Sequence, residues 1–264
     1  MKLRIALIQM QVEMGNPKAN FAHVRELMES AMAKKPDILV LPETWNTGFF
    51  PAEILHETAD EEGRETKALL SDFASRHEVN IVGGSSTVRE GEDIYNRSYV
   101  FNRKGDLIST YDKMHGFSLS GEPDYYRMGN HLAHFTLDDI SCSMAICYDI
   151  RFPELIRREA LQGVDLFFVP AAWPRIRNNH WVRLNQARAI ENQFYLAAVN
   201  EAGLSGGMEY AGESLLLDPW GEDICHLDRE EDIAFGRIDT DIIKEVRTKI
   251  NVFKDRRPEW DVVK

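Results

Sequence analysis

Residues 141–154 read Ser141-Cys142-Ser143-Met144-Ala145-Ile146-Cys147-Tyr148-Asp149-Ile150-Arg151-Phe152-Pro153-Glu154. The first seven positions predict a strand that ends on a thiol. Pro153 is pre-set for the first turn of a helix and predicts one starting near it. A strand at Asp165 to Val169, a helix from about Asn179 to Glu191 and a strand at Phe194 to Val199 follow. This alternation of strand and helix predicts an α/β fold, in which functional groups gather beyond the carboxyl ends of strands. Within 141–147, Cys142, Met144 and Ile146 alternate with Ser141, Ser143, Ala145 and Cys147. Side chains alternate across a strand, so the bulky set is expected to pack while the small set leaves room around the Cys147 sulfur.

Upstream, Leu3 to Gln9 reads as a strand, and Asn16-Pro17 opens a helical stretch with Phe21, Val24, Leu27 and Met28 at helical spacing. The apolar run Asp37-Ile38-Leu39-Val40-Leu41 then stops at Pro42-Glu43, placing a carboxylate where a buried strand gives way to a loop. A helix is expected over Glu65 to Arg76, a strand over Asn80 to Gly84, and a hairpin over Asn96 to Phe101 and Leu107 to Asp112, turning at Lys104-Gly105-Asp106 and delivering Lys113 at a strand end. Two strands follow His131. Late strands at Glu213 to Leu217 and Ile233 to Ile238, with a helix at Asp241 to Lys249, complete the pattern. Without a repeat or linker-like stretch, residues 1–264 read as one domain, and the aperiodic stretches Phe49 to Glu62 and Gly116 to Gly129 as loops framing a pocket.

The chain has 264 residues, 31 Lys plus Arg against 43 Asp plus Glu, and a net charge of -12. That charge opposes binding to nucleic acid or to an anionic membrane surface. No run approaches the ~18 apolar residues of a membrane span, and the N-terminus carries no signal-peptide core, so a cytoplasmic location is expected. The cysteines at 142, 147 and 225 have no CxxC spacing, which suggests neither a disulfide framework nor a zinc site.

An acid at 43, an amine at 113 and a thiol at 147 thus fall at three predicted strand ends. Singly each has a plain reading: Glu43 as a loop residue, Lys113 as a solvated strand end, Cys147 as a small hydrophobe. Together they make a complete set. A thiol is weakly ionised at neutral pH; Glu43 can take its proton, and Lys113 can stabilise the oxyanion formed when sulfur attacks an amide carbonyl.

These residues resemble the nitrilase-like carbon-nitrogen hydrolases. The resemblance rests on Leu41-Pro42-Glu43, Tyr111-Asp112-Lys113-Met114-His115 and the Cys147 to Glu154 octet, and extends through Trp173-Pro174, Arg188 to Gln193 and Asp218-Pro219-Trp220-Gly221 to Val252-Phe253. It implies a four-layer α/β/β/α sandwich, assembly as a homodimer through helices flanking the nucleophile, and no metal or organic cofactor. Carried over by position, Glu43 is the general base, Lys113 the oxyanion stabiliser, Cys147 the nucleophile, Tyr148 a backbone N–H donor to the oxyanion, and Glu122 an assisting glutamate. Glu122, Ala172-Trp173-Pro174 and the 188–193 stretch look most like the omega-amidase branch, implying hydrolysis of the terminal amide of a small 2-oxo acid monoamide such as 2-oxoglutaramate. The chain departs from that pattern at Gly116 and at Glu213, which stands where many relatives carry histidine.

Trp173 is a candidate substrate contact. Arg175 and Arg177 are candidate cations for a substrate carboxylate, which a chain of this net charge would otherwise repel. Arg151 could bind a substrate carboxylate but is expected to be structural, in an ion pair with Glu154 or with an acid across an interface. A papain-like enzyme would need a histidine base, and His77, His115 and His180 lie in no such local signature. The competing functions are a deaminated glutathione amidase, a non-catalytic dimeric binding protein and a redox-sensing thiol protein; for the last, strand parity turns Cys142 away from Cys147.

Overall fold

The computed structural model describes residues 1–261; the last three positions of the expected domain lie outside the described residues. Asn16 caps the first helix, Pro17–Met32, its side chain accepting from the Ala19 N–H, and Pro17 occupies the first turn where no donor is needed. The strands Lys2–Gln9 and Ile38–Val40 on either side of this helix pair in parallel, Leu7 opposite Val40, and Asn80–Val82 adds to them in the same direction. Apolar side chains occupy both faces of these strands because both faces are covered. Ile5, Leu7, Ile38 and Val40 face a second sheet, whereas Ala6, Ile8, Leu39 and Leu41 pack on Val24, Met28, Leu70 and Phe73 of the helices Pro17–Met32 and Arg64–His77.

The first sheet runs Asp232–Asp239, Lys2–Gln9, Ile38–Val40, Asn80–Val82, Asp93–Phe101, Ser86–Glu90 and Asp60–Glu61, with Leu107–Asp112 paired antiparallel to Asp93–Phe101. The second runs Asp223–His226, Leu215–Leu217, Tyr195–Asn200, Leu166–Ala171, Ile140–Met144 and His134–Leu137. Its middle strands Ile140–Met144, Leu166–Ala171 and Tyr195–Asn200 are parallel. The helices Pro153–Ala160 and Asn178–Asn192 connect them and add Leu155, Ile156, Trp181 and Ala189 to the core. The layers are therefore helix, sheet, sheet, helix. No described helix is long and apolar enough to cross a membrane.

One element differs from its sequence reading in a way that bears on the site. The strand expected to run to Cys147 ends at Met144, and Cys147 opens a 3-10 turn over Cys147–Arg151 with φ at +47°. Ala145 and Ile146 are both buried, so parity does not open space at the sulfur; the reversal of the backbone does. The strand expected to reach Gly84 likewise ends at Val82. Gly84, at φ +60°, lies so close behind the Glu43 loop that a Cβ there would meet the Pro42 carbonyl oxygen at 1.9 Å, which excludes every other residue.

Candidate active site

Glu43 follows Ile38–Val40 of the first sheet, while Ala172 follows Leu166–Ala171 and the Cys147 turn follows Ile140–Met144 of the second, so strand ends of both sheets meet at one place. Lys113 arrives at the end of the hairpin strand Leu107–Asp112. The Lys113 ammonium donates to Glu43 Oε1 at 2.8 Å and to both oxygens of Glu122 at 2.9 Å, with all three side chains at most 1% exposed. Burial works against that charge, but the two carboxylates outweigh it and hold the ammonium well above the ordinary lysine range. Asn96 Nδ2 donates to Glu43 Oε1 at 2.8 Å, the Ala172 N–H donates to Glu43 Oε2 at 2.8 Å, and the Phe117 N–H donates to Glu122 Oε2 at 2.7 Å. Each carboxylate is thus fixed from several sides.

Cys147 lines a cleft together with Lys113 and Ala172, within the electrostatic reach of Glu43. Burial pushes the thiol well above its ordinary range, the Glu43 carboxylate pushes it further, and the Lys113 ammonium pulls it back in part. The resting sulfur is therefore protonated, and ionising it requires a base at hand. Tyr148 supplies the second N–H of the 3-10 turn, a position without an acceptor inside the turn.

A left-handed conformation at a non-glycine residue costs about 1 kcal/mol or more and persists only where its surroundings impose it. Asp149 imposes it here. This fully buried carboxylate accepts at Oδ1 from the His115 N–H (2.9 Å) and Nδ1 (2.7 Å), and at Oδ2 from the Ile146 N–H (3.0 Å) and the Tyr111 hydroxyl (2.8 Å). It ties the turn bearing Cys147 to the residues on both sides of Lys113. Neither Asp149 nor Asn96 stands out as a site residue in the sequence. The available signal for Asn96 was its place in the buried register of its strand, with Ile94 and Ser98.

The cleft encloses about 290 Å³, and its walls include Phe49, Phe117, Tyr148, Trp173, Met208 and Tyr210. Phe49, Phe50, Phe117 and Ser120 come from the two stretches expected to frame a pocket. No histidine lines it among the described residues, which removes the papain-like reading. A larger cavity of about 900 Å³ lies beyond Met14, Phe50 and Gly206, but it does not reach Cys147, Lys113 or Glu43, so the smaller cleft holds the chemistry.

Among the other expected residues, Trp173 lines the cleft and donates from Nε1 to the Arg177 carbonyl at 2.9 Å; Arg177 lines it too. Arg175 does not: the 3-10 turn Arg175–Arg177 sends it outward to a pair with Glu209, so the substrate-binding expectation for Arg175 is corrected. Arg151 does not pair with Glu154. It has no ion pair among the described residues; it stacks over Trp173 at 4.6 Å and lines the cleft. Glu213 lies outside the cleft, 3.6 Å from His226, and exposed His180 only touches Arg151 at its rim. The Cys142 thiol is fully buried in the core and pushed far up by that burial. The described residues contain no group of His, Cys, Asp and Glu able to hold a metal ion.

A thiol without a histidine in reach, set against a carboxylate and an ammonium, is the arrangement of a cysteine hydrolase whose base is a glutamate. The chain belongs to the carbon-nitrogen hydrolase family, whose profile matches residues 4–248. It is 42% identical to the 2-oxoglutaramate amidase of Bacillus subtilis, over 98% of this chain and 99% of the relative. It is 33% identical to a hydrolase in the agr operon of Staphylococcus aureus, over 96% and 97%. Its fold superposes with a TM-score of 0.92, at 29% identity and 100% coverage of both chains, on a CN-hydrolase superfamily protein of Xanthomonas campestris that carries an arsenic adduct in its active site.

Proposed function

We propose that this chain is a cysteine-dependent amidase that hydrolyses the terminal amide of 2-oxoglutaramate or a closely similar short 2-oxo acid monoamide. The observation that carries this reading is the buried Glu43–Lys113–Glu122 cluster beside the Cys147 thiol. The identity to the Bacillus subtilis amidase supports the substrate.

The residues divide the work as follows. Glu43 takes the thiol proton as sulfur attacks the amide carbon, and the carbonyl oxygen gains its negative charge beside the Lys113 ammonium and the Tyr148 N–H. Glu43 returns that proton to the amide nitrogen, the C–N bond breaks, and ammonia leaves a thioester on Cys147. Water then attacks the thioester carbon, Glu43 accepts its proton, and the acid departs as the thiol re-forms. Glu122 holds Lys113 in place and balances its charge throughout.

We further propose that the enzyme works as a homodimer in the cytoplasm. A nucleophile that must remain a free thiol suits a reducing compartment, and apolar Leu161, Ile176 and Ile190 are exposed at the helices flanking the nucleophile. Sedimentation of the purified protein at dimer mass is expected; a monomer contradicts the assembly. The functional reading is tested by ammonia release from 2-oxoglutaramate, its decarboxylated analogue, deaminated glutathione and a short nitrile. The expected order places 2-oxoglutaramate first. Preference for deaminated glutathione points instead to the repair-amidase reading.

A further inference from the structure

The catalytic cleft of about 290 Å³ and the larger cavity of about 900 Å³ share three lining residues, Met14, Phe50 and Gly206. Met14 lies in the loop between Lys2–Gln9 and Pro17–Met32, and the backbone on both sides of it is tied down. The buried Asn20 side chain accepts from the Glu13 N–H at 2.9 Å and donates to the Glu13 carbonyl at 2.8 Å and the Asn46 carbonyl at 3.0 Å. The Gly15 N–H donates to the Thr47 carbonyl at 2.8 Å. A Cβ at Gly48 would lie 3.1 Å from the Met14 Cα, so the main chain is close-packed there as well. At the far end of the side chain, a Cβ at Gly206 would collide with the Met14 Sδ and Cε. The thioether therefore rests on the bare backbone of the turn that joins Leu204–Ser205 to Met208–Glu209. Phe50 is held in turn by Tyr125, edge to face at 5.0 Å. One unbranched side chain on an anchored loop, together with a ring and a glycine, thus forms the partition between a small catalytic space and a large adjoining one.

We propose that Met14 sets the length of acyl chain the enzyme accepts: its thioether closes the cleft off from the larger cavity, and a shorter side chain at this position lets the tail of a longer substrate pass through. A primary amide carries no carbon on its nitrogen, so with its carbonyl at Cys147 it can grow only along the acyl chain. In the native enzyme, methylenes beyond the length of the cleft meet the thioether or turn back to solvent and gain no burial. Past the partition they meet Val12, Ala19, Pro51 and Ile54. Each methylene buried there adds about 4-fold to binding. Methionine suits the position because an unbranched, polarisable chain fills an irregular gap between two spaces. The limit holds for any primary amide attacked by Cys147, whether 2-oxoglutaramate or another.

The test uses thiol reagents of graded length and needs no turnover, so a failure of the proposed substrate and a failure of the partition show separately. Methyl, butyl and octyl methanethiosulfonate each leave their alkylthio group on Cys147, and intact mass with peptide mapping gives the rate at this thiol apart from Cys142 and Cys225. The octyl-to-butyl rate ratio is expected to rise at least ~10-fold in Met14→Ala and by a smaller factor in Met14→Val, the scale of a few newly buried methylenes. Met14→Leu, of similar volume, should keep the native ratio. Ala19→Phe added to Met14→Ala fills the larger cavity without touching the cleft, and should return the ratio to the native value. The methyl reagent and a thermal melt report whether each variant keeps its fold, and Met14→Val carries the test if Met14→Ala does not. An unchanged ratio in the folded truncations overturns the proposal, as does a native enzyme whose rate already climbs through the octyl reagent. A rise that Ala19→Phe fails to reverse overturns the route into the larger cavity.

Discussion

Replacing Lys113 with methionine tests the charge balance of the buried site. The two carboxylates share one nitrogen at 2.8 and 2.9 Å, so their bonded oxygens cannot be more than about 6 Å apart. Two unit charges at that separation repel by about 3 kcal/mol at an effective dielectric constant of about 20. Methionine fills most of the lysine volume but leaves Glu43 and Glu122 without a counter-charge. Loss of one partner from a buried ion pair typically costs ~3–5 kcal/mol, a large part of a stability of ~5–15 kcal/mol. Glu122→Gln added to Lys113→Met removes one of the two unmatched charges, so the double variant should be more stable than Lys113→Met alone by about 3 kcal/mol. Both remain at least ~100-fold impaired in turnover, since the oxyanion has lost its cation. Urea denaturation at neutral pH, followed by tryptophan fluorescence, measures this difference in stability. A double variant less stable than Lys113→Met would show that the three groups do not share one charge balance, and the account of the cluster would fail.

Other perturbations have equally definite outcomes. Glu43→Gln should slow hydrolysis by at least ~100-fold yet lower the Cys147 pKa, because the carboxylate raises it and Lys113 remains; iodoacetamide alkylation then begins at lower pH than in the native enzyme. Glu43→Gln combined with Lys113→Met should be little slower than either alone, because the two act as a unit, and multiplicative losses would contradict this. Glu201, fully buried just beyond Tyr195–Asn200 with neither oxygen hydrogen-bonded to a described residue, is held well above the ordinary carboxylate range by burial and, in part, by Glu43. The folded state therefore keeps a proton that the unfolded chain releases above about pH 4.5, and stability falls by up to ~1.4 kcal/mol per pH unit from there toward the folded value. Glu201→Gln should flatten that slope in thermal melts between pH 5 and 8; an unchanged slope refutes the assignment. Cys142→Ala should keep turnover within about 10-fold of the native rate, since it changes packing and not the nucleophile.

The alternation of strand and helix was legible because the core strands are covered on both faces and their helices carry apolar spacing, whereas the four-layer arrangement was available only through the family resemblance. Glu43, Lys113 and Cys147 could be picked out because complementary groups follow predicted strands. The geometry at Cys147 was less accessible. Nothing local in Met144-Ala145-Ile146-Cys147 marks where extended backbone gives way to a left-handed residue, because Asp149, Tyr111 and His115 hold it there from other elements. The arginines were harder still. Arg175 and Arg177 are two residues apart in a 3-10 turn and leave it in different directions, one to Glu209 and one into the cleft. For Arg151 the sequence offered Glu154 or an acid across an interface as partner, and within the chain its guanidinium lies instead over the Trp173 ring.

The central claim is that Cys147 carries the acyl group. Rapid mixing of the enzyme with 2-oxoglutaramate, acid quenching within the first turnovers and intact mass followed by peptide mapping test it directly. The account predicts a transient acyl adduct on Cys147, lost together with ammonia release in Cys147→Ala. Retained ammonia release in Cys147→Ala, or an adduct on another residue, would contradict it.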